Sequence, residues 1–209
     1  MSRVEEVKRQ AIRLMAEKGY EAMSLRQLAA ALGVRAGSVY THYQSKGQLL
    51  QDVHCDYLDD LLCAWLEQRH RLFDSQQQLQ RFVSVYVHFH YAHPAESRIV
   101  QLDYRSLDQA GQRQVDELKA QYAAELDSIL QLGEQRGVLR FADLRVTRLA
   151  ILAVLYGICS AGLPESLALA ACLDNVHSLT RSHGEHPVGC AVRTRPRAAL
   201  PPVRTAHPT

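Results

Sequence analysis

Residues 24–46 read SLRQLAAALGVRAGSVYTHYQSK. Ser24 with Gln27 three residues on forms a capping box, in which each side chain satisfies the other's backbone N–H at a helix start. A Leu/Ala-rich helix follows over 25–32. Gly33 ends it, because glycine takes the left-handed turn at a helix terminus without a Cβ clash. A second, very short helix covers 36–42. Two short helices joined by about four residues form a helix-turn-helix. Ala29 is small where the helices must cross closely, and Val34 and Val39 point inward to fix their angle. The second helix presents Arg35, Ala36, Gly37, Ser38 and Thr41 outward. Small side chains let such a helix approach base edges in the major groove, and Arg35 suits a bidentate bond to guanine. Tyr40, His42 and Lys46 are donors placed to reach phosphate oxygens. The free amides at the helix start near Ser24 suit another phosphate. The same pattern is compatible with a plain αα-hairpin bearing a polar face.

Outward from this segment the chain reads as helix almost throughout. Val4, Val7, Ala11, Leu14 and Met15 recur at helical spacing, predicting a helix over 2–18 that stops at Gly19. Ser45 with Gln48 begins a long helix running to about residue 72. Ser75 with Gln78 begins another, which Pro94 ends by forbidding its continuation. A shorter piece covers 95–105. Ser106 with Gln109 opens the next long helix, to about Arg136, with Gly137 as its C-cap. Asp143 caps a helix over 144–161, Gly162 and Pro164 break the chain, and the last helix spans 165–181. About nine helices and no strand predict an all-α fold. The domain reading is a head bearing the helix-turn-helix at 1–46, a helical body at 47–181, and a disordered basic tail rich in Pro and Arg at 182–209. That tail holds five of the seven prolines and no apolar periodicity.

Composition limits the function classes. The 209 residues are 47% hydrophobic, enough for a substantial core. The longest apolar stretch, around 149–159, is too short for a membrane span. The N-terminal MSRVEEVKRQ carries charge where a signal peptide needs an apolar run, so a cytoplasmic location without membrane association is expected. The net +2 hides an uneven distribution: +4 over residues 1–50, −5 over 51–181 and +3 over 182–209. A basic head on an acidic body puts the anionic partner at the head. Five cysteines without CxxC spacing argue against a disulfide framework or a zinc ribbon.

The motif G19-Y20, S24-L25-R26-Q27-L28-A29, G33-V34, G37-S38-V39-Y40-T41-H42-Y43 and S45-K46, with Leu49, resembles the DNA-binding domain of the TetR/AcrR family of transcriptional regulators. The resemblance covers about residues 3–55. Arg35 departs from it, standing where the family usually has Ser or Thr as the cap of the recognition helix. Gly47 departs too, where Glu or Asp is common. The resemblance implies a homodimer whose two heads bind a palindromic double-stranded DNA operator, as a repressor by default, and whose body binds a small-molecule effector. The last two helices then form the dimer interface. Here helix 8 is apolar nearly all round and needs cover on every side. This puts Leu149, Leu152 and Leu155, with Leu169, Leu173 and Val176 of helix 9, at the interface. The pocket is placed among helices 4 to 7, with Trp65, Tyr86, Phe89, His90, Arg98, Tyr104, Arg105 and Tyr122 as lining candidates. An aromatic stripe at helical spacing also reads as plain core. Residues 92–145 loosely resemble a TetR subgroup that senses acyl-CoA thioesters, which implies an acyl-CoA-like effector.

Other classes find little support. His88, His90 and His93 form an HxHxxH cluster, but residues two apart on a helix point about 200° apart, so no metal site is expected. No phosphate loop, GxSxG, HExxH or dinucleotide fingerprint is present, so no catalytic residues and no cofactor are assigned. The alternatives to a regulator are a helical protein-interaction module and an all-α enzyme without a motif.

Overall fold

The computed structural model describes residues 2–69 and 74–181. Nine α-helices run in order through them, with no strand: α1 Arg3–Lys18, α2 Leu25–Ala31, α3 Ala36–Tyr40, α4 Lys46–Gln68, α5 Ser75–Ala92, α6 Pro94–Leu102, α7 Gln109–Gln135, α8 Leu144–Cys159 and α9 Glu165–Thr180. The expected tail at 182–209, with Cys190, lies outside the described residues.

Capping explains most boundaries. Ser24 and Gln27 make the reciprocal box at α2, and Gly33 takes φ 67°. The Ser45 hydroxyl accepts the Gln48 amide at 3.1 Å to begin α4. Several boundaries differ from the sequence expectation. The cap of α5 is Asp74, not Ser75: its carboxylate accepts the Gln77 amide at 2.8 Å while the Gln77 side chain receives the Asp74 amide at 3.2 Å. An anionic cap also suits the positive end of the helix better than a hydroxyl does. The cap of α7 is Asp108, accepting from Gly111 at 2.7 Å, and Ser106 instead closes a 3-10 turn over Tyr104–Ser106. Helix α4 stops at Gln68, where extended Arg69 returns its amide to the Trp65 carbonyl. Helix α3 is two residues shorter than expected, Thr41 and His42 forming a closing turn.

Two hydrophobic clusters organise the chain. The first joins α1–α3 to the first half of α4 through Val7, Ala11, Leu28, Val39, Leu49 and Val53. It does not stop at residue 46, because Tyr57 and Leu58 of α4, Ile99 of α6 and Val115 of α7 belong to it. The second holds Leu61 and Trp65 of α4 against α5, α7, α8 and α9. Helix α4 therefore runs through both cores. An ion pair from Lys8 to Asp56 fastens α1 to it. No helix among the described residues is long and apolar enough to cross a membrane.

Candidate DNA-binding face and effector cavity

Helix α3 is too short to be stable by itself, and its cap residue Arg35 makes no side-chain bond to the helix. Its position comes from packing. Val39 is fully buried and Tyr43 nearly so, which anchors the inner side. The outer side then carries Arg35, Gly37, Ser38, Tyr40, Thr41 and His42, all exposed, with Ala36 half-buried. Tyr40 is 45% exposed, a large aromatic ring left at the surface of the smallest helix. The Thr41 hydroxyl donates to the Ser38 carbonyl at 2.8 Å. Ser24 is exposed, its hydroxyl accepting from the Gln27 amide at 3.3 Å. Lys46 is less free than the sequence suggests. Its ammonium lies 3.2 Å from the Glu21 carboxylate and 4.3 Å over the Tyr20 ring.

A cavity of about 400 Å³ opens in the body. Helix α4 contributes Tyr57, Leu58 and Leu61 to it, and α5 contributes Tyr86. Ser97, Val100 and Gln101 come from α6, and Tyr104 from the turn after it. Lys119 and Tyr122 come from α7, and Leu152 and Tyr156 from α8. Of the eight pocket candidates, Tyr86, Tyr104 and Tyr122 are brought together here. The other five are not. Trp65 is buried in the core and donates to Glu125 at 2.9 Å. Phe89 packs edge-on to Tyr57 and faces a separate polar groove between α1 and α4. His90 sits behind the wall, its Nδ1 2.6 Å from the Ser97 hydroxyl. Arg98 and Arg105 are exposed and outside the lining. The reason is helical geometry: Ser97, Val100 and Gln101 share one face of α6, so Arg98 points elsewhere. The cation at the cavity is Lys119, which sequence reasoning missed. Its three-residue spacing from Tyr122 on α7 was the available signal.

The electrostatics follow from burial. Burial pushes the Tyr57 phenol up to about 12 and Tyr122 well above its usual value, so both stay neutral donors. Burial also lowers the His90 pKa, against a raising effect of the Cys159 backbone carbonyl. Lys119 is lowered by desolvation, partly offset by Asp116. Its ammonium stands 4.1 Å over the Tyr104 ring, and the Tyr104 hydroxyl donates to Asp116 at 2.8 Å. A wider depression at the α7–α8 turn, around Phe141 and Arg181, contains none of the candidates.

The apolar circumference of α8 divides in two. Thr147, Ile151, Leu155 and Cys159 face the subunit's own core. Val146, Leu149, Ala153 and Tyr156 form an outer stripe, with Val146 64% and Leu149 56% exposed. Leu167 of α9 is exposed as well. Of the six interface candidates only Leu149 stands on this outer face. Leu155 and Val176 are buried inside the subunit, and Leu152, Leu169 and Leu173 are half-buried against the same core. Val146, Tyr156 and Leu167 share the outer side with Leu149, each lying opposite the buried stripe of its own helix. His88 pairs with Glu165 at 2.6 Å, and no group of three metal-ligating side chains occurs among the described residues.

Two family models match this arrangement. Residues 9–53 match the model for bacterial regulatory proteins of the tetR family, and residues 73–160 match a tetracyclin repressor-like C-terminal domain. The chain belongs to the TetR family. Among curated relatives, the HTH-type transcriptional repressor KstR2 of Rhodococcus jostii is 34% identical over 71 residues, 34% of this chain and 35% of that protein. The match thus spans about a third of the relative's length. A tetR-family regulatory protein from Rhodococcus RHA1 superposes with a TM-score of 0.79 at 22% identity, over 88% of this chain and 100% of that one. AibR in complex with isovaleryl coenzyme A and operator DNA superposes with a TM-score of 0.74 at 20% identity, over 82% and 96%. These two likenesses show the TetR fold. The HTH and the helical body found here are the two parts that the family models describe.

Proposed function

We propose that this TetR-family chain is a ligand-responsive transcriptional repressor. As a homodimer it binds a palindromic DNA operator through α3, and an acyl-CoA-like effector in the cavity releases it. The observation that carries this reading is the outer face of α3. Its glycine, serine, threonine and arginine are held at the surface by a buried Val39 and Tyr43, as entry into a major groove requires. Arg35 is the base-reading candidate. Ser24, Tyr40, His42 and Lys46 are phosphate candidates, with Lys46 exchanging its Glu21 partner for a phosphate. The exposed stripe on α8 supports a two-fold partner, because an apolar helix face of this kind is what an isologous interface covers. AibR, crystallised with an acyl-CoA and its operator, supports the effector class. Lys119 at the rim is the cation available to the anionic end of such a molecule.

The test is fluorescence anisotropy of labelled DNA from upstream of the gene, at fixed salt, with and without an acyl-CoA. Tight binding released by the thioester is expected. Binding that the thioester leaves unmoved would discard that effector class. Failure to select any sequence from a random DNA pool would refute DNA recognition itself.

A further inference from the structure

The turn that follows α6 touches the cavity, the head's core and a charged pair at once. Its Tyr104 lines the cavity, and Leu107 is buried in the head's hydrophobic cluster. Between them the Ser106 hydroxyl donates to one oxygen of the Glu21 carboxylate, at 3.5 Å. The other oxygen accepts from the Lys46 ammonium at 3.2 Å. Lys46 also donates to the Glu21 carbonyl at 3.3 Å and to the Tyr20 carbonyl at 3.5 Å. An ammonium has three N–H donors, and here each has an acceptor. A phosphate therefore reaches Lys46 only by displacing one of them. The two carbonyls belong to a turn that the Met23 amide closes on Tyr20 at 3.1 Å, so they stay. The Glu21 side chain is 81% exposed and is the acceptor able to leave.

We infer that Glu21 is the positioning residue through which the body controls Lys46. With the turn where it stands, Ser106 keeps the Glu21 carboxylate on the ammonium, and the lysine is withheld from the DNA backbone. A molecule lodged against Tyr104 fixes the turn in that place. The Tyr104 hydroxyl is already tied to Asp116 and its ring lies under the Lys119 ammonium, so an occupied cavity closes the remaining side. The exchange of Glu21 for a phosphate then costs more, and DNA is released. The inference rests on the repressor reading above and adds to it the residues that join effector to phosphate contact. It needs no change in the recognition helix, because a ligand acts by favouring one of two arrangements.

The test is a double-mutant cycle on the full-length protein, read by anisotropy with a labelled duplex that the wild type selects from a random pool. Glu21→Gln should tighten DNA binding about threefold per head, the scale of an exposed ion pair, and so about tenfold for a dimer. Ser106→Ala changes no charge and should tighten it less, in the same direction. Both effects should vanish in a Lys46→Ala background. Octanoyl-CoA should weaken the wild type by a larger factor than it weakens Glu21→Gln. Tightening of equal size in the Lys46→Ala background overturns the inference, since it then reflects only a charge removed from the DNA's vicinity. An unmoved Ser106→Ala overturns it by cutting the link to the body, as does an equal octanoyl-CoA factor in wild type and Glu21→Gln. A wild type that selects no duplex, or that octanoyl-CoA leaves unmoved, overturns the reading proposed above and this coupling with it.

Discussion

Gly133→Ala tests how tightly the end of α7 is packed. A Cβ built on Gly133 falls 2.4 Å from Leu139 Cδ1, 2.5 Å from its Cγ and 3.0 Å from its Cβ. Carbon atoms pack best at about 3.5–4.0 Å, so the methyl overlaps Leu139 by roughly an ångström. Leu139 has little room to retreat. It is 3% exposed, and the amides of Val138 and Leu139 both bond to the Gly133 carbonyl, at 2.9 and 3.0 Å. Overpacking costs about 1–3 kcal/mol, and this overlap belongs at the upper end. Alanine returns about 1 kcal/mol of helix propensity. The net loss is about 2 kcal/mol, which for a domain of this size lowers Tm by roughly 4–8 °C. Thermal unfolding by circular dichroism, at fixed protein concentration because a dimer's Tm depends on it, reads this directly. A Tm that is unchanged or raised would refute the packing argument. In a Leu139→Ala background the two closest overlaps are gone and only the 3.0 Å approach to the residue-139 Cβ remains, so adding the methyl there should cost clearly less.

Three other perturbations read other parts of the molecule. His54 and His90 are buried and their pKa values are lowered by desolvation from 6.5, so below about pH 6.5 the unfolded chain takes up protons the folded chain refuses; stability should be complete above that pH and fall below it, by at most about 1.4 kcal/mol per pH unit for each histidine, and urea midpoints that stay flat on acidification would contradict this. Leu149→Glu places a charge in the exposed α8 stripe and should give a monomer by sedimentation with unchanged helicity; an unchanged sedimenting mass would move the interface elsewhere. Arg35→Ala should change preference at one base position, costing about 1–3 kcal/mol there, whereas Lys46→Ala should weaken every sequence and reduce the salt dependence by about one ion per half-site; identical effects of the two would remove the division of roles.

The head was legible in the sequence because its signals are local. Ser24–Gln27, Gly33 and the Val34/Val39 pair act within one or two turns, and the folded chain uses each of them. The body was legible only as helices. At the starts of α5 and α7 a serine and an aspartate compete within a few residues, and sequence alone does not rank them. The cavity and the interface depend on which face of a helix meets which neighbour. Helix 8 reads as apolar all round, and only the packing of Ile151 and Leu155 inward shows that Val146, Leu149 and Tyr156 are the side left over. Arg98 drew attention by charge, yet the rotation of α6 that buries Ser97 turns it outward, while Lys119 was hidden among the polar residues of a long amphipathic helix.

The same packing explains how a cavity in the body can govern a helix in the head. Tyr57 and Leu58 line the cavity and are also members of the head's hydrophobic cluster, and Val100 and Tyr104 pack against that cluster from α6 and its following turn. No rigid partition separates the two. A molecule seated against Tyr57, Leu58 and Val100 presses on side chains whose other faces hold α1, and α1 is fastened to α4 by Lys8 and Asp56. Close-packed interiors transmit such displacement because they have little free volume to absorb it. The effector needs only to bind one arrangement of α4 and α6 better than the other, and the ratio of its two affinities sets the largest shift in DNA binding it can produce. Weakening the contact between α1 and α4, as Lys8→Ala would, should therefore reduce the effector's leverage on DNA binding more than its affinity for the cavity.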